Sequence, residues 1–280
     1  MANLPNYLPD TQIEIIDPNA ARTQFRHALF DFDGTVSLIR EGWQQVMIPM
    51  MVEILRTTPA AEDEATIHRV VTDFVTRLTG KQTIYQMIQL AEEVTKRDGH
   101  PQEPLTYKYD YLDRLWARIE GRVARLKAGE IDPAELVVPG AIEILAALRE
   151  RGVTCYLASG TDEPYVIAEA AALGVTDYFD GGIYGALDDY QNFSKKMVID
   201  RILRQHQLPG HELLTFGDGY VEIENTAAVG GLAVGVASNE AERQGIDAWK
   251  RQRLVEAGAA IIIPDFREYE ALLDYLNGRD

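Results

Sequence analysis

Two aspartates near the start of the chain, Asp31 and Asp33, carry the clearest chemical signal. They follow the short apolar run 27–30 and precede Gly34 and Thr35. Side chains two positions apart share one face of a strand, and open α/β sheets bind ligands at the carboxyl ends of their strands. The spacing therefore predicts two carboxylates at one sheet edge, where they could hold a metal ion and attack a phosphorus atom.

An Asp-x-Asp-Gly sequence also begins many calcium-binding loops. Those loops supply several more oxygen ligands and are closed by a glutamate. Residues 35–39, Thr-Val-Ser-Leu-Ile, are too apolar to do this. The sequence therefore favours phosphoryl chemistry over a calcium loop.

Further polar residues follow two other predicted strands. The strand 153–158 leads into Ser159-Gly160-Thr161, where a hydroxyl and a glycine turn could grip phosphate oxygens. The strand 213–216 leads into Gly217-Asp218-Gly219, with Glu222 one turn later. Because parallel strands end at the same sheet edge, we expect these groups to meet the aspartate pair.

Two adjacent lysines, Lys195 and Lys196, open a helix predicted near 194–206. Each candidate residue has an ordinary role when taken alone: Ser159 suits a turn and Asp218 a helix cap. Lysines are mostly solvated surface charges. Their combination in one order along one sheet edge is what indicates a site.

The chain has 280 residues, which favours two domains or one domain with a large insertion. Amphipathic spacing predicts helices near 41–56, 62–79, 82–97 and 104–127. From Pro139 onward helices and strands alternate, which is typical of a parallel sheet covered by helices. The predicted elements are helices at 139–151, 163–173, 222–229, 240–257 and 266–276 and strands at 232–236 and 260–263, and residues 1–26 are expected to be irregular.

Composition narrows the possible partners. The net charge is -17, with 27 basic and 44 acidic residues, so we expect no nucleic-acid or membrane partner. The single cysteine, Cys155, lies in an apolar run and is predicted to be a small core residue. No signal-peptide pattern is visible in residues 1–10, so the expectation is a cytoplasmic protein.

Taken together, these motifs resemble the haloacid dehalogenase superfamily of aspartate-dependent phosphohydrolases. The resemblance is carried by residues 31–35, Ser159, Lys195 or Lys196, and the segment 217–222, in the order in which the family has them. It implies a Rossmann-like parallel sheet with helices on both faces, built from residues 1–37 and 137–280. The helical residues 38–136 then form a cap domain. Many family members have aspartate where this chain has Glu222.

The resemblance also implies a role for each motif residue. Asp31 is then the nucleophile that forms an aspartyl-phosphate, and Asp33 is the general acid and base. Ser159 and a lysine hold phosphoryl oxygens, with Lys195 favoured because Val198 and Ile199 place the apolar face of the helix beside it. The implied cofactor is Mg²⁺, with metal ligands from Asp31, Asp33, Asp218 and Glu222.

Substrate contacts are expected from Thr35, Gly160, Arg40 and Lys196, with Glu41 and Trp43 as further candidates at the entrance to the cap. By family analogy, a cap of this size favours a small phosphorylated metabolite such as a sugar phosphate or a phosphoglycolate-like acid. The predicted activity is a phosphatase; the alternatives are a phosphomutase and a non-catalytic phosphate-binding protein. The presence of Asp33 favours phosphate-ester chemistry over cleavage of carbon–halogen or carbon–phosphorus bonds.

Other enzyme and signalling classes fit less well. A signalling receiver would carry its phosphoacceptor on a middle strand and would need no cap. The segment 230–235 lacks G-x-G-x-x-G and runs into a strand, which argues against a dinucleotide site. No histidine pair has the spacing of a zinc site.

Overall fold

The computed structural model describes residues 6–20 and 22–278. Its strands are β1 (Glu14–Ile15), β2 (His27–Phe30), β3 (Thr154–Asp162), β4 (Gly182–Ala186), β5 (Leu213–Gly217), β6 (Leu232–Val236) and β7 (Ile261–Ile263). They form one sheet in the order β1-β7-β6-β5-β2-β3-β4. Strands β2 to β7 pair in parallel, as predicted.

Strand β2 lies in the middle of the sheet between β3 and β5. All four of its residues are buried, because helices cover both faces. Leu29 packs on one side in a cluster with Ile199, and Phe30 packs on the other with Ile144. The centre of the sheet is therefore held by apolar contacts on both faces, which fixes the carboxyl end of β2 in place.

Three strand predictions need correction. Residues 1–26 were expected to be irregular, yet β1 pairs antiparallel with β7. Strand β3 continues through Ser159, Gly160 and Thr161, where a turn was predicted, because a register shift lets it stay paired with β4. Strand β4 itself was missed, since a short segment with two glycines gives a weak strand signal.

The helices after residue 136 are α5 (Ala141–Glu150), α6 (Glu163–Ala172), α7 (Lys195–His206), α8 (Tyr220–Ala228), α9 (Ala248–Glu256) and α10 (Tyr269–Leu276). Helix α8 starts two residues earlier than predicted. Helix α9 starts eight residues later than the predicted 240, because the Asp247 side chain accepts from the Lys250 N–H and caps the helix there.

Between β2 and α5 the chain forms α1 (Gln44–Arg56), α2 (Glu64–Leu78), α3 (Thr83–Lys96) and α4 (Pro104–Lys127). These helices match the four predicted segments to within a few residues, because their apolar positions recur at helical spacing. Residues such as Ile67, Phe74 and Leu115 are buried where the helices pack on one another. Asp63 caps α2 through the Thr66 N–H, and Pro104 opens α4.

The two ends of the helical segment lie next to each other where the chain leaves the sheet and returns to it. Ser37, where the chain leaves the sheet, forms an antiparallel bridge with Val137, where it returns.

Cys155 is fully buried, as predicted. Among the described residues, no helix is both long and apolar enough to span a membrane.

Candidate active site

Asp31 is the first residue after β2 and lies at the carboxyl edge of the sheet. Its N–H donates to the Phe216 carbonyl at 2.9 Å, which continues the pairing with β5, and its Oδ1 accepts from the Phe32 N–H at 2.8 Å. Gly34 follows with φ +77°, and a Cβ there would lie 2.3 Å from an Asp218 carboxylate oxygen. Glycine therefore lets the turn after β2 reach Asp218.

Lys195 joins two of the predicted acids. Its Nζ lies 2.7 Å from Asp31 Oδ2 and 2.7 Å from Glu222 Oε2. Burial raises the pKa of Asp31 well above its usual range, and Lys195 opposes that shift. Burial by itself lowers the pKa of Lys195, but the Asp31 and Glu222 carboxylates outweigh it and raise the pKa above the ordinary value. Lys195 is therefore a fixed positive charge beside Asp31.

Asp33 is held by two hydroxyl groups from β3. Its Oδ2 accepts from Thr161 Oγ1 at 2.8 Å and from Ser159 Oγ at 3.3 Å. Its Oδ1 is buried and accepts no hydrogen bond from the described residues, with Arg40 Nε at 3.9 Å. Thr161 was not predicted as a site residue, although its position two residues after Ser159 places both hydroxyls on one face of β3.

Asp218 lies at the end of β5 and has partners that the sequence analysis missed. Lys250 Nζ, on α9, lies 2.8 Å from Asp218 Oδ2 and 2.7 Å from Glu240 Oε1. Burial by itself lowers the pKa of Lys250, but these acids raise it above its usual value. No motif points to Lys250 or Glu240, because both lie in the predicted helix 240–257, outside the segments that directly follow the predicted strands.

Thr35 and Glu222 form hydrogen bonds that hold other site residues in position. The Thr35 hydroxyl accepts from the Asp218 N–H at 3.0 Å, so it orients Asp218, and its contact with substrate stays a prediction. Glu222 Oε1 accepts from the Gly219 N–H at 2.9 Å while its other oxygen binds Lys195. Because a glutamate side chain is longer than that of aspartate, Glu222 contacts both Lys195 and the start of α8.

The predicted lysine pair is resolved by the direction of the two side chains. Lys195 is 4% exposed and enters the site, whereas Lys196 is 62% exposed and pairs with Asp200 one helical turn later. Adjacent residues on a helix point about 100° apart, so both cannot face the same edge. The expectation that Lys196 contacts substrate is therefore corrected.

Arg40 and Gly160 both line the cavity, and each also contacts a residue of another element. Arg40 donates from Nε and Nη2 to Glu169 on α6, at 3.0 and 2.7 Å. Burial raises the pKa of Glu169 despite this pairing. A Cβ on Gly160 would lie 2.8 Å from the Lys81 carbonyl oxygen, so this glycine admits the loop between α2 and α3.

These groups open into one cavity between the sheet edge and the helical segment, with a volume of about 100 Å³. The carboxyl edge of the sheet contributes Asp31, Asp33, Ser159, Thr161 and Asp218 to its wall, and α7 contributes Lys195. The helical segment contributes Trp43, Met47, Thr83, Gln86 and Tyr111. Arg40 and Glu41 also line the cavity, as the sequence analysis expected for residues at this entrance.

The donor set suits a hard divalent cation. One carboxylate oxygen from each of Asp31, Asp218 and Glu222 lies within 4.8 Å of the other two. The acids at this edge outnumber the ammonium groups: Asp31, Asp33, Asp218, Glu222 and Glu240 are set against Lys195 and Lys250. Clustered carboxylate oxygens with an excess of negative charge match the preference of Mg²⁺.

Comparison with protein families decides the assignment. A model described as haloacid dehalogenase-like hydrolase matches residues 25–230. The chain belongs to this hydrolase family. The matched residues include all the motifs described above, so the resemblance inferred from the sequence is confirmed. A search of curated protein sequences found no significant match.

Solved structures share the fold of this hydrolase. A β-phosphoglucomutase from Clostridium difficile superposes with a TM-score of 0.61 at 13% identity, over 91% of this chain and 98% of that one. A predicted phosphoglycolate phosphatase from Haemophilus somnus gives 0.59 at 16% identity, over 90% and 100%. A hydrolase of the same family from Deinococcus radiodurans, with bound phosphate and sodium, gives 0.55 at 20% identity, over 91% and 97%. The likeness covers the helical segment as well as the sheet.

Proposed function

We propose that this hydrolase is a Mg²⁺-dependent phosphatase that cleaves a small phosphorylated metabolite through an aspartyl-phosphate. The observation that carries the proposal is the arrangement around Asp31. Lys195 lies 2.7 Å from its Oδ2, and Asp33 lines the same cavity with one carboxylate oxygen free of hydrogen bonds from the described residues. A nucleophile, a cation and an acid thus share one small space.

In this mechanism a carboxylate oxygen of Asp31 forms a bond to phosphorus while the bond to the ester oxygen breaks. Asp33 gives its proton to that leaving oxygen. In the second half, Asp33 takes a proton from water, the water oxygen bonds to phosphorus, and the Asp31 carboxylate is released. The Ser159 and Thr161 hydroxyls keep Asp33 at its place between the two steps.

Lys195 neutralises charge on the phosphoryl oxygens as the bonds change, since it is already fixed beside Asp31 and needs no rearrangement. Glu222 orients Lys195 from the other side. We propose that Asp31, Asp218 and Glu222, with the Asp33 carbonyl, hold the metal ion. A bound Mg²⁺ would neutralise the phosphate and lessen its repulsion from the acids.

We propose residues 38–136 as a cap over a catalytic core of residues 1–37 and 137–280. The Ser37–Val137 bridge supports this division, because both chain passes cross there. The cavity of about 100 Å³ between the sheet edge and the helical segment supports a small substrate over a macromolecular one. A cytoplasmic location is also proposed, supported by the single buried cysteine.

Phosphate release from a panel of small esters tests the proposal. The panel contains sugar phosphates, glycerol phosphate and phosphoglycolate, each with Mg²⁺ or with EDTA. We expect Mg²⁺-dependent release that Asp31→Asn abolishes, and an acid-quenched sample of the wild type should carry a phosphoryl group on the peptide containing Asp31.

The same panel separates the alternatives. A phosphomutase would convert a sugar phosphate into an isomer without releasing phosphate, which phosphorus NMR detects. A phosphate-binding protein without activity would give neither product, but phosphate would still raise its unfolding temperature. Either result, with folded protein, would contradict the phosphatase proposal.

A further inference from the structure

The loop 79–82, which joins α2 to α3, crosses directly over the catalytic edge. Thr79, Gly80 and Lys81 line the cavity. A Cβ on Gly80 would lie 3.2 Å from the Cα of Gly219, the residue after Asp218. On the other side, the Lys81 carbonyl contacts Gly160. The loop therefore bridges the carboxyl ends of β5 and β3 and forms the roof of the cavity.

Arg253, on α9, holds the helix end from which this loop emerges. Its Nη1 donates to the Thr76 carbonyl at 2.5 Å, and its Nη2 donates to the carbonyls of Arg77 and Thr79 at 2.7 and 3.1 Å. The last carbonyl groups of a helix have no partners within the helix and carry a partial negative charge. One guanidinium donates to two carbonyls in the last turn of α2 and to the carbonyl of Thr79, and the Thr76 carbonyl also accepts from the Thr79 N–H.

The Arg253 guanidinium also packs against two aromatic rings. It lies 4.5 Å from the ring centre of Tyr220 and 5.2 Å from that of Trp249. Tyr220 opens α8, immediately after Gly219. Arg253 therefore connects the catalytic segment that contains Asp218 to the end of α2. By contrast, Arg251 on the same helix pairs with the Glu14 carboxylate, away from the cavity.

We propose that Arg253 is a positioning residue that keeps the loop 79–82 closed over the phosphoryl site. The proposal rests on the proposed function for its effect on catalysis. A closed roof excludes water from the aspartyl-phosphate except for the attacking molecule and confines the leaving group. Without Arg253, water replaces the guanidinium at three carbonyl groups and the loop separates from Gly219 and Gly160.

Amide hydrogen exchange in the protein without substrate tests the closure directly. Arg253→Ala is expected to speed exchange in a peptide covering residues 78–85 by about tenfold, because each tenfold change corresponds to about 1.4 kcal/mol, less than one charge-assisted hydrogen bond contributes. Arg251→Ala is the matched control, since it removes an arginine of the same helix with a different partner. Unchanged exchange in Arg253→Ala, or equal acceleration in both variants, would overturn the proposal.

Kinetics with esters of two sizes tests the consequence for catalysis. For glycerol phosphate, whose leaving group is small, Arg253→Ala should raise KM about tenfold with a smaller fall in kcat. For p-nitrophenyl phosphate, whose larger leaving group is expected to depend less on a closed roof, KM should change less than about twofold. Arg253→Lys keeps the charge but reaches fewer carbonyls, so its KM for glycerol phosphate should be intermediate.

Equal losses for both esters, or no rescue by lysine, would indicate a general structural role and overturn the proposal. Failure of the proposed function has a different signature. In that case the wild type would hydrolyse neither ester with Mg²⁺, while the exchange difference between the two alanine variants would remain.

Discussion

Lys195 and Glu222 form a buried ion pair, with Nζ 2.7 Å from Oε2. The same ammonium lies 2.7 Å from Asp31 Oδ2, so the lysine bridges the two acids. Glu222 also accepts the Gly219 N–H and is thereby fixed to the start of α8. The position of the lysine beside the proposed nucleophile is thus set by a glutamate from a different part of the chain.

Replacing Lys195 tests whether this charge takes part in catalysis. We expect Lys195→Met to lower kcat by at least about 10²-fold, the usual cost of removing one preorganised donor at a reacting group. Steady-state phosphate release measures the loss. Lys196→Met is the matched control, because Lys196 is its exposed neighbour on α7 and pairs with Asp200. It should retain activity within about twofold of the wild type.

Thermal unfolding of both lysine variants separates catalysis from stability. Lys195→Met leaves Asp31 and Glu222 without their partner, so some loss of stability is expected. Measurements are therefore made below the unfolding transition. Comparable activity in the two variants would contradict the role of Lys195.

The role of Asp33 predicts a dependence on the leaving group. A poor leaving group such as an alkoxide needs a proton, whereas p-nitrophenolate leaves without one. Asp33→Asn should therefore lower the rate of aspartyl-phosphate formation about 10²- to 10⁴-fold for an alkyl phosphate and much less for p-nitrophenyl phosphate. Single-turnover kinetics of aspartyl-phosphate formation measures the first step for each ester. A loss of the same size for both would argue against proton transfer by Asp33.

The ion pair between Arg40 and Glu169 predicts which leaving groups the cavity accepts. Glu169 neutralises Arg40 through Nε and Nη2, so the arginine offers no uncompensated charge to a carboxylate. Glu169→Gln should raise kcat/KM for phosphoglycolate relative to glycerol phosphate about tenfold, the contribution of one charge-assisted hydrogen bond. Glu163→Gln, at the half-buried start of α6, is the control. An unchanged ratio would mean that Arg40 does not contact the leaving group.

His27 predicts a pH dependence of stability. Burial, followed in size by the charge of His206, lowers the pKa of His27 below its ordinary value of 6.5. The unfolded chain therefore binds a proton before the folded one does as the pH falls through 6.5. The contribution of neutral His27 to stability is present above that pH and is lost below it, down to the folded pKa.

Urea unfolding at pH 7.5 and 5.5 of the wild type and His27→Gln measures this contribution. The free energy of unfolding of the wild type should fall more steeply with acid than that of the variant. Taking the difference between the two proteins removes the titration of the other groups. His68→Gln, at an exposed position on α2, should behave like the wild type. Parallel curves for the wild type and His27→Gln would contradict the shift.

The sequence determined the parts of this protein that depend on local patterns. Helical spacing located α1 to α4, and apolar runs located most of the parallel strands. The motif residues Asp31, Ser159 and Asp218 could be placed at one edge, because parallel strands end on the same side of a sheet. The hydrolase family followed from the order of these motifs and is confirmed by the family match.

Tertiary structure decided which side chains meet within that edge. The apolar face of α7 favoured Lys195 over Lys196 but left both open, and the packed position of α7 places Lys195 in the site. Lys250, Glu169 and Arg253 belong to no recognisable sequence motif. Their roles depend on Asp218, Arg40 and Thr76, which lie on other elements far away in the chain. Strands β1 and β4 depend on pairing at the sheet edges more than on their own residues. A single sequence encodes local periodicity directly, whereas contacts between distant segments arise only when those segments pack.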